Sequence, residues 1–397
     1  MKDNRERRVL DTGDRYNNSR YPNSNNESFN SYGRQKRYNK LKIIFLISFI
    51  FSVIFLGFLY IKSLLIFRHR IILTAIVIVF YILVLLIINA KRKTLLKTLS
   101  ILIMIFLGVV ELAFVYLYGI VEVEMENANR DNVTVPSEFK KKDSFNVYMS
   151  GLDVDGDIST ISRSDVNIVA SMNLKSGEAI LTSVPRDSYL PIAGEGNNQL
   201  DKLTHAGNYG VKSSMDTIAN ALSIELPYYA KVNFTSFVKI VDILGGIEVE
   251  NTQEFTSNVS GKFYEKGKVY LDGAGALDFV RERYGLEDGD LDRGRNQEKV
   301  LKAIFSKMAR PSSLLNIKEI TRAVSESIST NIPTNKLFNI ASSYVFNLGF
   351  DIENEELDGY YDYLPSHAMP GYNLSMFIIY DESIEEVRDK IENLLEK

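Results

Sequence analysis

The 397-residue sequence has no cysteine and only three histidines, His69, His205 and His367. Without thiols, neither a disulfide framework nor a thiolate metal site can form. With so few histidines, a multi-histidine zinc centre or a Ser-His-Asp mechanism is not expected. A strong net charge is also missing. The 46 Lys and Arg face 50 Asp and Glu, a formal −4 that gives no global reason to expect nucleic acid as a partner. The chain carries no GxSxG elbow, P-loop or dinucleotide-binding fingerprint, and Gly156, Gly194 and Gly196 read as loop glycines. The run Asp153, Asp155, Asp157 has its glycine at the fourth position and Ser164 at the twelfth. A calcium loop needs glycine at the sixth and glutamate at the twelfth, so it is rejected. No internal repeat is evident.

Long apolar runs, in contrast, are plentiful. Residues 1–42 are polar, with eleven Lys/Arg against five Asp/Glu, and cannot bury a core. They read as a disordered basic tail on the cytoplasmic side, with contact to anionic membrane lipids as a second role. Runs at 43–61, 71–90 and 99–121 each approach or exceed the ~20 residues that cross a hydrocarbon core. Three spans starting inside put the rest of the chain outside. Lys91, Arg92, Lys93 and Lys97 then lie inside and the acidic stretch 122–126 outside. Glu111, midway along the third span, needs a partner there, and structural pairing is the simplest use for it. Residues 122–144 read as a short polar linker.

From 145 to 397 the pattern is that of an α/β domain, a mixed sheet with helices on both faces. Strands are expected at 145–151, 165–173, 178–184, 228–233, 247–250 and 373–380. Helices are expected at 211–223, 234–244, 273–281, 293–309, 314–326, 334–347 and 384–395. Charged residues gather at the strand ends. Asp153 follows the first strand, Asp165 opens the second, and the third ends in Pro185, Arg186 and Asp187. Arg163, Arg186, Arg281, Arg283 and Arg293 all stand on or beside expected loops, several next to Asp165, Asp187 or Asp290. Guanidinium forks hold phosphate oxygens two at a time and keep their charge. With Asp153 and Asp165 free to hold Mg²⁺, the set suits a pyrophosphate. Arg281 and Arg283 would point to different sides of a helix. Both reach one ligand only if the helix ends near Val280, which Tyr284-Gly285 favours. His205 and His367 read as hydrogen-bonding and loop residues, not as bases.

The blocks NVYMSGLD, SRSD, SVPRD, DKLTHAG, VNFTSFVKIVDILGG, LDGAGALDFVRERY and DGDLDRGRNQEKVLKAI run in order from 145 to 309. Together they resemble the extracellular catalytic domain of the LytR-CpsA-Psr family, bacterial cell-wall glycopolymer ligases. A weaker match continues through SHAMPGYNLSMFIIYDES. The three spans look like the subgroup tied to capsule attachment. The resemblance implies transfer of a phosphoryl-linked glycopolymer from a polyprenyl pyrophosphate to a peptidoglycan hydroxyl, with Mg²⁺ or Mn²⁺ as cofactor. By position, Asp153 and Asp165 would serve the metal, one of them also activating the acceptor. Arg163, Arg186, Arg281 and Arg283 would grip the pyrophosphate, with Arg186 and Arg281 counted as catalytic. Lys202 and Arg293 would add positive charge, and Asp187, Asp290 and Gln297 would complete or brace the pocket. Many relatives have an arginine immediately before the glutamine, where this chain has Asn296, so Arg295 is not carried over as a ligand. Hydrolysis of the lipid pyrophosphate, or holding it without turnover, are the alternatives. A regulatory role lacks any DNA-reading motif.

Overall fold

The computed structural model describes residues 24–90, 94–126, 128–152, 158, 161–308, 310 and 317–397. Residues 1–23 of the tail, the loop residues Lys91, Arg92 and Lys93, and Asp153 lie outside the described residues. Three helices come first, α1 (Ser24–Ile61), α2 (Phe67–Asn89) and α3 (Thr94–Met125). Within them Tyr38–Ile61, Phe67–Asn89 and Thr94–Met125 are long and apolar enough to cross a membrane. The helix starting at Ser24 corrects the expectation of a disordered tail up to residue 42. Once the apolar run has nucleated a helix, adding residues at its end costs little.

The chain forms two compact units, Met1–Phe51 with Val79–Gly108, and Ser52–Ile78 with Val109–Lys397. In the first, the Tyr81 ring meets Phe45 and Phe49 edge-on at 5.6 and 5.2 Å, and its hydroxyl bonds Ser48 Oγ at 2.6 Å. In the second, Ser52 Oγ donates to Glu111 Oε1 at 2.6 Å, which gives that carboxyl a structural partner.

The second unit continues with β1 (Ser144–Leu152), β2 (Ser164–Asn173), β3 (Glu178–Ser183), β4 (Tyr189–Ile192) and β5 (Gln199–Lys202). Next are α4 (Leu203–Ala206), α5 (Val211–Leu222), β6 (Tyr228–Asn233) and α6 (Phe234–Ile243). Short strands β7 (Ile247–Asn251), β8 (Phe255–Thr256), β9 (Phe263–Tyr264) and β10 (Gly267–Leu271) lead to α7 (Gly273–Arg281). Then come α8 (Asp290–Met308), α9 (Ile317–Ser327), β11 (Ile328–Thr330) and α10 (Thr334–Phe346). The end is β12 (Asp351–Glu356), β13 (Gly359–Pro365), β14 (Asn373–Ile379) and α11 (Asp381–Glu396).

The main sheet runs β11-β6-β1-β2-β3-β12. β6 is parallel to β1 and β12 to β3, while β2 is antiparallel to both β1 and β3. Strands β1, β3, β6 and β12 therefore point the same way and end at one edge, where β2 begins. Period-2 alternation divides the core between two faces. Phe145, Val147, Ile168, Ala170 and Leu181 face Leu301 of α8 and Ile340 of α10. Tyr148, Val169 and Val184 face Met215 and Ile218 of α5 and Val387 and Ile391 of α11. This is the expected mixed sheet covered on both sides.

Two differences from the expected layout have physical causes. Strand β12 was missed because its sequence, DIENEE, has four acidic residues in six and one apolar residue, which an edge strand tolerates. The segment expected to be a linker is part of the folded unit, with Ala128, Val133 and Phe139 buried. Its Asp131 receives Lys231 Nζ at 2.6 Å, and Ser329 Oγ and Tyr229 Oη donate to its other oxygen. Lys231 is 3% exposed. Removing one partner of such a pair strands a buried charge.

Glu298 is a different case. It is fully buried on α8, and neither carboxyl oxygen has a hydrogen-bond partner. Burial first, and the nearby Glu356 second, push its pKa up to about 8. The folded chain then keeps a proton that the unfolded chain loses near pH 4.5, so stability falls as pH rises between those values.

Two predictions follow from these groups. Asp131→Ala should lower the unfolding free energy by roughly 3 kcal/mol, read by chemical denaturation of the full chain in detergent. An unchanged midpoint would mean that 128–139 is not part of the fold. Glu298→Gln should flatten the decline in stability between about pH 4.5 and 8, measured as melting temperature against pH. Parallel wild-type and variant curves would show that this carboxyl does not titrate there.

Candidate active site

At the edge where the four co-directional strands end, a cleft of about 500 Å³ opens. Carboxyl ends of strands in an open α/β sheet are where chains diverge and leave such space. Asp165 enters it from the start of β2, Arg186 from the turn after β3, and Arg283 from the loop after α7. Arg293 and Gln297 come from the first turns of α8. Arg186 Nη1 donates to Asp165 Oδ1 at 3.0 Å, with both side chains partly open to solvent. Gln297 Nε2 donates to the Val280 carbonyl at 3.3 Å, tying α8 to the end of α7.

The other described residues expected at the site are not in the wall of this cleft. Lys202 Nζ donates to Asp187 Oδ1 at 2.8 Å, a largely buried pair behind the Arg186 turn. Arg163 is exposed just ahead of β2. Its segment is so close to Gly207 that a Cβ there would lie 2.4 Å from the Ser162 carbonyl oxygen. Arg281 is the last residue of α7, and its guanidinium lies over the Phe234 ring at 4.4 Å. The helix thus ends where the two-arginine condition requires, and Arg283 lies beyond it. Asp290 opens α8. Arg295 is engaged elsewhere. It makes a bidentate pair with Glu356 at 2.7 and 3.2 Å and also meets Asp288 and Asp292.

The Arg283 loop and the loop ahead of α8 are held by buried carboxylates. Glu282, 1% exposed, accepts the backbone N–H of Arg283 at 2.9 Å and of Gly285 at 2.7 Å through one oxygen. Its other oxygen accepts from Asn258 N. Burial pushes this carboxyl up, but the backbone donors outweigh it and hold the pKa below the usual range. Asp292 plays the same part for Asp288 N at 2.9 Å and Gln253 Nε2 at 2.6 Å. Asp201 accepts the N–H of Lys202 and Ala368, Ser366 Oγ, and a bond with His205 Nδ1 at 2.9 Å. Burial likewise raises the Asp201 carboxyl, and the Ala368 and Lys202 N–H groups more than offset it. His205 is thus a bonding residue in the fold, and its partner Asp201 is 3% exposed.

The Arg186 turn is fixed through its own backbone. The carbonyls of Arg186, Asp187 and Ser188 accept N–H groups from Thr204, Phe377 and Leu203, each at 2.8 Å. Strands β13 and β14 form a hairpin whose Gly359, Tyr361 and Phe377 close one side of the cleft. Glu287, Asp288 and Glu356 also line it. The sequence reading missed these residues. The two acidic loop positions carry no periodic signal, and only the second strand of the hairpin was expected.

A divalent cation was expected at Asp153 and Asp165. Among the described residues, no group of three or more His, Asp or Glu is placed to hold a metal. Mg²⁺ needs only one or two protein carboxylates when phosphate oxygens and water complete its shell. Asp165, with its side chain 21% exposed at the cleft wall, fits that limited demand.

The model of the LytR_cpsA_psr family matches residues 114–393. The polyisoprenyl-teichoic acid–peptidoglycan teichoic acid transferase TagU of Enterococcus faecalis is 35% identical over 221 residues, 55% of this chain and 71% of that protein. The crystal structure of B. subtilis TagV aligns with a TM-score of 0.55 and 26% identity, over 64% of this chain and 98% of that one. A structure of TagT bound to LI-WTA aligns with a TM-score of 0.52 and 29% identity, over 64% of this chain and 92% of that one. The matched span takes in the sheet, the cleft and every described arginine considered above, and the chain belongs to the LytR-CpsA-Psr family.

Proposed function

We propose that the chain transfers a phosphoryl-linked glycopolymer from a polyprenyl pyrophosphate to a hydroxyl of peptidoglycan, at the outer face of the membrane. The observation that carries this reading is the convergence of Arg186, Arg283 and Arg293 with Asp165 in one cleft, in a chain with three membrane-length helices. A pyrophosphate diester brings two negative charges, and guanidinium groups on loops fixed by buried carboxylates can meet them without reorganising. Relatives named as teichoic acid transferases, and a neighbour described as TagT bound to LI-WTA, agree with a glycopolymer donor. The basic tail is assigned to the cytoplasm and the domain to the exterior, following the distribution of Lys and Arg.

In this mechanism the acceptor hydroxyl oxygen attacks the phosphorus that bears the glycan. The bond from that phosphorus to the bridging oxygen breaks, and polyprenyl phosphate leaves with the electron pair. A carboxylate takes the hydroxyl proton, with Asp165 the described candidate and Asp153, twelve residues earlier in the sequence, the other. Arg186 orients Asp165 through their 3.0 Å bond and brings its positive charge to the phosphate oxygens. Arg283 and Arg293 approach from the opposite wall, where they stabilise charge that grows on the leaving phosphate. When bound, Mg²⁺ would supply Lewis-acid neutralisation of the phosphates, held by Asp165 together with Asp153.

The test uses the full chain in detergent, a labelled polyprenyl-pyrophosphate glycan and peptidoglycan fragments, with Mg²⁺ or with chelator. Label should appear on the acceptor only with metal. Arg186→Ala should cut the rate roughly 100- to 1,000-fold, the usual penalty for losing a charge-stabilising donor, with melting temperature unchanged. Free phosphorylated glycan without transfer would make the chain a hydrolase. Full activity in Arg186→Ala would remove the pyrophosphate assignment.

A further inference from the structure

The β13–β14 hairpin presents a face that the chemistry above does not use. Strand register places Gly359, Tyr361 and Tyr363 on one side of β13, opposite Ile379, Phe377 and Ser375 of β14. Gly359, Tyr361 and Phe377 belong to the cleft wall. Tyr363 continues the same face outward by two residues, about 7 Å along the strand. Tyr361 lies against Phe377 with ring centroids 5.1 Å apart, and a Cβ on Gly359 would sit 2.8 Å from that Phe377 ring. Opposite Tyr363 is the small Ser375, followed by Asn373, and the Tyr363 side chain remains 71% exposed. One ribbon face thus carries the rings of Tyr361, Phe377 and Tyr363 with the Ser375 hydroxyl and the Asn373 amide beside them.

The ribbon is held rigidly. Phe377 N donates to the Asp187 carbonyl at 2.8 Å, Phe377 bridges to Ser188, and Ser366 and Ala368 at the hairpin end bond Asp201. The platform therefore keeps a fixed position relative to Arg186, and a ligand lying on it pays little ordering cost.

We propose that the Tyr361–Tyr363 face is the subsite for sugar rings of the acceptor glycan strand. A pyranose presents flat C–H faces that stack on phenol rings and hydroxyls that bond amides and hydroxyls, and this ribbon offers both on one face. Exposed aromatic patches mark recognition surfaces. Continuity with the cleft selects the acceptor: a strand on Tyr363 and Tyr361 leads directly to Asp165 and Arg186. Charge argues against an anionic lipid surface, because the hairpin strands carry Asp362 and no Lys or Arg. The proposal rests on the transferase reading for its substrate, but its test does not need turnover.

The experiment titrates the full chain, in nanodiscs of zwitterionic and anionic phospholipid, with soluble peptide-free glycan strands from peptidoglycan and no lipid donor. The wild type should bind. Tyr361→Ala with Tyr363→Ala should weaken binding at least tenfold, and Tyr363→Phe should keep it. In the transfer assay, Tyr363→Ala should raise KM for the acceptor and leave kcat at saturation unchanged. Equal strand affinity in the wild type and the double variant would overturn the proposal. So would protection of Tyr363 from a water-soluble quencher by the bilayer alone, which would make this face a membrane contact. Tyrosine-dependent strand binding in a wild-type chain that transfers nothing would support the subsite while removing the transferase reading.

Discussion

A buried carboxylate that accepts backbone N–H groups is the interaction on which the active-site edge depends. Loops rarely hold a shape by packing alone, because their polar backbone needs partners. Here Glu282 fixes 283–285, Asp292 fixes Asp288, and Asp201 ties Lys202 to the 366–368 turn. In each case the carboxylate is mostly or wholly buried and its pKa is still lowered, so the backbone donors repay its desolvation. Such groups stabilise the fold above the normal carboxylate range and lose that contribution as pH falls through their folded pKa. The arginines of the cleft can then face a ligand without bending their own loops.

Glu298 shows the contrast within one helix. On α8, Arg293 and Gln297 face the cleft, Arg295 neutralises Glu356 and Asp288, and Glu298 is buried with no donor. A carboxyl in that position is best kept neutral, since burial and the charge of Glu356 outweigh the attraction of Lys302, Arg295 and Lys299. The helix thus turns Arg293 and Gln297 to the cleft, pairs Arg295 for structure, and carries one group whose charge is suppressed by burial.

Much of this was legible in the sequence, for definite reasons. The first three strands of the domain alternate or run apolar between clear turns, and α6 ends at Gly245 and Gly246, whose φ of 71° and 74° only glycine adopts easily. The SVPRD and RERY blocks announced Arg186 and Arg283 by type and by loop position. What failed to show was pairing. Nothing local in DIENEE identifies the edge strand that delivers Glu356, because strand identity there comes from hydrogen bonds to β3. The placement of Arg281 over Phe234 depends on α6, and sequence spacing along α7 cannot reveal it.

The junction with the membrane helices has a similar lesson. A tethered domain needs only a flexible strap, yet here the span ends are built into the domain. Ile66 lies in the same cluster as Phe139, Phe145 and Tyr228. The Phe338 ring of α10 meets Phe114 and Tyr118 of α3 at 5.6 and 5.4 Å, and Phe346 stacks on His69 at 4.1 Å. Lys62 and Tyr118 both donate to Glu122, joining the ends of α1 and α3 beside that contact. Apolar side chains shared in this way cannot separate without exposing their surface, so the domain and these helix ends move as one body.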